Sequence, residues 1–222
     1  PKLRETQIQW RKKARIMCVP AKFCCRFHSM LRVYYFSLIV NRLVAGDLSM
    51  SINLYDASVL SYLQTVKAVS KTLKLAEEAA ADNILDLEST LDFQLRDNML
   101  PFSFQVISVW HHSLGALKGM KAGLFEPPPK VTDLSWSKLK ELLKEAEDYL
   151  VEQDPDTINA LMGKDMVFRV GQREMPFTTE GFLLSFSLPN VHFHAATTYA
   201  ILRHLGVTLG KLDYLGDMRF NS

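Results

Sequence analysis

Cysteine is confined to one end of this 222-residue chain: Cys18, Cys24 and Cys25 are its three, and none follows. A disulfide framework, a thiol nucleophile and a cysteine-ligated zinc site are therefore excluded from residues 50 to 222. Long apolar runs are lacking too. The stretch from Val33 to Val40, the longest in the first fifth, falls far short of the roughly 20 residues that cross a bilayer. Missing as well are a GxSxG elbow, a GxxxxGK loop ending in Ser or Thr, a GxGxxG turn after a strand and an HExxH pair. Gly206 to Lys211 imitates a phosphate loop but follows a helix pattern, so it reads as a helix cap and turn.

What is present is a soluble globular composition, 48% hydrophobic and 23% charged, enough to bury a real core. The net charge of +2 hides a division near Met50. Residues 1 to 49 carry ten Lys/Arg against Glu5 and Asp47, a net +8, which leaves −6 for the rest. Such a basic, acid-poor segment resembles a mitochondrial transit peptide, and runs such as Arg11-Lys12-Lys13 can bind nucleic acid. The segment shows no sustained amphipathic period, and the chain opens on Pro1. It is expected to be a disordered or non-native extension before a start at Met50, followed by one domain over residues 50 to 222. A cytoplasmic location follows as the default, mitochondrial only if the extension is a genuine transit peptide; neither a membrane nor a nucleic acid is an expected partner.

Beyond Met50 the period is helical. Val59, Tyr62, Leu63, Val66, Val69, Leu73, Ala76 and Ala80 recur at steps of three and four, predicting a helix from about Tyr55 to Ala81. Pro101 suits a first helical turn, and a second helix is predicted from there to about Ala122, with Val106, Val109, Trp110, Leu117 and Met120 as its stripe. Gly123 and Pro127-Pro128-Pro129 stop it. A third helix carries Trp136, Leu139, Leu143, Ala146 and Leu150 inward. Alternation over Asp165 to Phe177, with Gly171-Gln172 as a two-residue turn, predicts one hairpin. The last helix is predicted from near Thr179 to a cap at Gly206, kinked by Pro189.

Three of the six histidines lie in that last helix. His194 shares the inward face with Val191, Ala195, Thr198, Leu202 and Leu205, and Asn190 sits one turn before it. His192 points about 160° from His194 by helix geometry. On the second helix, His111 follows Phe104 and Ile107 to the edge of the apolar face, while His112 points further round with Gly115, Ala116 and Gly119. Neutral imidazoles from two helices can hold a metal when water completes the shell. Spacing alone ranks a hydrogen-bonded core histidine ahead of a ligand.

The run Asn190 to Gly206, continued by Val207, Gly210, Lys211, Asp213, Leu215 and Gly216, resembles the C-terminal signature of domain-of-unknown-function family 1993, in the DinB/YfiT-like superfamily of metalloenzymes. The start Met50 to Tyr55, the Met99-Leu100-Pro101 entry with Phe104-Gln105-Val106, and the hairpin also resemble that family. The resemblance implies an all-α, up-down-down-up four-helix bundle with a small hairpin before the last helix. It further implies a divalent metal, zinc or nickel, held by one histidine of the second helix and two positions on the last. Carried onto this sequence, the ligands fall on His111, His194 and Asn190, with His112 and His192 ranked behind them and Trp110, Tyr199, Lys211 and Asp213 nearby in the pocket. Asn190 stands where the superfamily has a histidine, and an amide oxygen is a poor zinc ligand. The function so implied is a metal-dependent small-molecule transferase or hydrolase. The competing expectation is a non-catalytic interaction bundle, homodimeric, with packing histidines.

Overall fold

A computed structural model describes residues 52–221, so every expectation for residues 1–49 lies outside the described residues. The first helical run begins with a π-turn, Asp56–Leu60, and continues as α1, Ser61–Ala81. Its predicted stripe is the buried one: Val59, Tyr62, Val66, Val69, Leu73 and Ala76 are all in the core. A short α2, Leu87–Leu91, is capped by the Asp86 carboxylate, which accepts from the Ser89 amide. The second long run is α3, Phe102–Trp110, a π-turn, His111–Gly115, and α4, Ala116–Ala122, closed by Gly123 in the left-handed conformation. The next long helix, α5, Trp136–Val151, starts where the Ser135 hydroxyl accepts from the Lys138 amide. A one-turn α6, Pro155–Asn159, follows it.

The strands are β1, Leu124–Phe125, β2, Asp165–Val170, and β3, Arg173–Thr178. β2 and β3 form the expected antiparallel hairpin, with Val170 opposite Arg173. Gly171 has φ 58°, while Gln172 is not among the positive-φ residues, as a type II′ turn requires. β1 adds to β2 in parallel, pairing Leu124 with Val167 and Phe125 with Phe168. The result is a three-stranded mixed sheet in the order β1-β2-β3. The expectation of an all-α, up-down-down-up four-helix bundle with one inserted hairpin is therefore corrected. The physical reason is Gly123: it turns the chain from α4 directly into extended backbone, and its carbonyl accepts from the Val167 amide at 2.9 Å.

The last run begins at Thr178, whose hydroxyl accepts from the Gly181 amide. It comprises α7, Thr179–Phe182, a third π-turn, Leu183–Ser187, and α8, Leu188–His204. Pro189 follows the π-turn closely, at the second residue of α8, within a continuously helical backbone in which its missing amide leaves one helical hydrogen bond unmade. α8 packs on α3 and α1, and α5 packs on α1 and α3, so one apolar core runs among the four long segments. A final α9, Lys211–Leu215, lies against α1.

Gly206 ends α8 with φ 97°, its amide donating to the Arg203 carbonyl and that of Val207 to the Leu202 carbonyl. This is the Schellman arrangement. A Cβ at Gly206 would also lie 3.2 Å from the Ile84 side chain. Gly206→Ala is expected to lower unfolding free energy by about 1–3 kcal/mol, read from urea denaturation.

Candidate functional site

The second and third π-turns are bonded to each other in the core, and Tyr62, just past the first, bonds to the same point. Tyr62 follows the first, His112 lies in the second and Ser187 ends the third. The Ser187 hydroxyl donates to the His112 carbonyl at 2.7 Å. Its single hydrogen is then used, so the 2.7 Å contact with Tyr62 has the phenol donating to Ser187 Oγ. All three residues are buried. Burial pushes the Tyr62 hydroxyl far above its ordinary pKa, outweighing the opposite effect of Ser187, so it stays a neutral donor. A π-turn widens the helix by one residue, a distortion often found at functional sites.

Here the His112 and His194 rings stack, 6.0 Å between centroids and 15° from parallel. His112 Nδ1 is buried with no hydrogen-bond partner among the described residues. His194 Nδ1 lies 2.8 Å from Gln105 Oε1. The other end of that amide, Gln105 Nε2, donates to the Leu100 carbonyl at 2.8 Å. A carbonyl only accepts, so Oε1 must face His194, whose Nδ1 carries the hydrogen. That leaves His194 Nε2 as a lone-pair nitrogen, the orientation that a second-shell partner imposes on a metal-binding imidazole.

His111 is placed elsewhere. Its Nε2 donates to the Glu126 carbonyl at 2.7 Å, and its ring lies on Phe125 with centroids 4.6 Å apart. Gly115 makes room: a Cβ there would stand 2.7 Å from His111 Nδ1. On the second helical run it is thus His112 that stacks on His194. Asn190 is half-buried one turn before His194, and its amide nitrogen donates to the Phe186 carbonyl at 2.7 Å. His192 lines a different cleft, of about 230 Å³, with Ser61, Gln64, Thr65, Tyr214 and Leu215. Among the described residues no group of three or more His, Cys, Asp or Glu side chains is placed to hold a metal ion.

The other pocket candidates are dispersed. Trp110 Nε1 donates to Glu145 on α5 at 3.2 Å. Tyr199 meets Tyr214 edge to face at 6.1 Å. Asp213 pairs with Lys71 at 3.0 Å and accepts from the Gly210 amide, while Lys211 is exposed at the start of α9. Sequence reasoning missed Gln105, Tyr62 and Ser187 as parts of the site. The available signal was Gln105 itself, a long polar side chain within the apolar run Phe102 to Val109.

Burial holds both imidazoles neutral: His112 is pushed down to about 3, with help from His111 and His194, and His194 to about 4. The unfolded chain gains these protons below pH 6.5 and the folded chain does not, so stability is full above pH 6.5 and falls as pH drops toward 4 and then 3. In metal-free protein the urea midpoint is expected to fall from pH 6.5 to 5, with a shallower fall in His194→Gln. Ser187→Ala strands the Tyr62 hydroxyl and is expected to cost about 1–3 kcal/mol in the same assay at pH 7.

Among the described residues no helix is long and apolar enough to cross a membrane. No curated protein sequence matches the chain. Its fold is similar to that of a DinB family member from Shewanella denitrificans, with a TM-score of 0.65 and 22% identity over 76% of this chain and 95% of that one. The sequence profile described as "Domain of unknown function (DUF1993)" matches residues 54–215. The chain therefore belongs to the DUF1993 family and has a DinB-like fold.

Proposed function

We propose that His112 and His194 form a small-molecule centre that takes a divalent transition metal, nickel or zinc. The observation that carries the reading is the buried, unpartnered Nδ1 of His112 beside a second neutral imidazole. A buried polar atom without a partner is uncommon and calls for an explanation. The donor set fits a weak site: two imidazole nitrogens, with the Asn190 amide one turn from His194 as a third, neutral group. Lacking a carboxylate or thiolate, it does not fit a closed structural zinc site. Gln105 fixes the His194 ring, and the Ser187 bond to the His112 carbonyl fixes the backbone that carries the other. When bound, an ion with open positions supplies a Lewis acid, suited to transfer or hydrolysis of a small substrate. The chain's own part is to keep both imidazoles deprotonated at neutral pH, with His112 buried and His194 half-buried.

A packing role is favoured by one observation, the lack of a third His, Cys, Asp or Glu in the group among the described residues. Calorimetric titration of full-length protein, without a histidine tag, separates the two. About one equivalent of Ni(II) or Zn(II) is expected, lost in His112→Ala and His194→Ala and kept in His192→Gln. No uptake, or uptake indifferent to His194→Ala, assigns the pair to packing.

A further inference from the structure

We infer that the cleft between α1, α8 and α9 is a second binding site, and that it takes an uncharged polyol of about the size of a monosaccharide. Neither His112 nor His194 lines it, so the inference does not rest on the metal reading. The cleft holds about 230 Å³, several times the roughly 30 Å³ share of one water. Five of its six lining side chains are polar: Ser61, Gln64 and Thr65 on α1, His192 on α8 and Tyr214 on α9. Leu215 alone is aliphatic, and none of the six is a carboxylate, an ammonium or a guanidinium.

These groups keep hydrogen-bonding capacity that the protein does not use. Gln64 Nε2 donates to the Leu215 carbonyl at 2.8 Å, which leaves Oε1 as an acceptor. Thr65 spends its hydrogen on the Ser61 carbonyl at 3.1 Å and keeps its lone pairs, while Ser61 has only a 3.3 Å contact with the Asp56 carbonyl. Among the described residues, neither the Tyr214 hydroxyl nor the His192 ring has a hydrogen-bond partner. Such a mixture of neutral donors and acceptors matches a ring of hydroxyls, each of which also donates and accepts. An apolar ligand would strip water from these groups and replace none of its bonds. An ion would lose hydration without meeting a counter-charge, because Asp213, next to Tyr214, is already paired with Lys71 at 3.0 Å and with the Gly210 amide. The Tyr214 ring, set edge to face on Tyr199, adds an apolar body beside its polar tip, on which the C–H side of a sugar can lie. The cleft is also preformed. A Cβ at Gly216, where φ is 62°, would stand 3.0 Å from Ala68 Cβ and 3.2 Å from the Gln64 carbonyl oxygen, so the end of α9 sits directly on α1. With the Gln64–Leu215 and Lys71–Asp213 links, this seats the Tyr214 wall before a ligand arrives and leaves little to order on binding.

The test is an NMR titration of full-length protein with three neutral polyols, D-glucose, D-ribose and myo-inositol, against D-glucuronate, protonated D-glucosamine and cyclohexanol. At least one of the three polyols is expected to bind about fivefold more tightly than every control, with its amide shifts centred on Gln64, Thr65, His192 and Tyr214. His192 is exposed and Tyr214→Phe keeps the ring, so His192→Ala and Tyr214→Phe are expected to retain the melting temperature. Each is expected to weaken that polyol about threefold to fivefold. Binding by none of the three, a charged probe or cyclohexanol binding as tightly, shifts centred elsewhere in the protein, or full affinity in both variants each overturns the inference.

Discussion

One serine hydroxyl holds the centre of the molecule together. Ser187 accepts from Tyr62 and donates to the His112 carbonyl, which ties the start of α1, the middle of the second helical run and the start of α8 to one point. In water such a link is worth little, because solvent competes for both ends. Here all three residues are buried, and any break leaves a polar group with nothing to bond. The second and third π-turns are therefore held together beside α1, and His112, at that junction, stacks on His194. Packing around this junction is aromatic, from Phe125 and Phe186 at His112 to Phe104 and Phe193 at His194.

The environment sets the chemistry more than any single side chain does. Deprotonated imidazoles usually owe their state to ambient pH, but burial holds these two neutral, and for His112 the neighbouring His111 and His194 add to it. Gln105 adds direction: it is buried, both ends of its amide are engaged, and it leaves His194 only one nitrogen with a free lone pair. The same residue type on a surface would turn freely and specify nothing.

The helices were legible because their apolar periods are long. The stripe from Val59 to Ala76 marks the first helical run, π-turn and α1 together, and its end at Ala81, and the cap at Gly206 follows from glycine's access to left-handed backbone. β1 was not legible, since two residues, Leu124 and Phe125, carry no period at all. Nor was the choice between His111 and His112. Counting faces along the second helical run assumes 100° per residue, and a π-turn beginning at His111 breaks that count. The periodicity from Phe104 and Ile107 is sound up to Trp110 and misleading from there on. The fold class suffered from the short strand, and the count of helix faces beyond Trp110 from the wide turn.

Pro176 has an effect beyond its own strand. It stands opposite Val167, whose amide is taken by Gly123 on the β1 side, so the two form a pair that exchanges no hydrogen bonds between β2 and β3. The position where an amide hydrogen is missing therefore faces outward, on the free edge of β3. An edge strand of six residues would otherwise present a template for a further strand from another molecule. With that donor absent and Pro176 itself exposed, β3 offers one hydrogen bond fewer to any further strand, and edge-to-edge pairing along it is disfavoured.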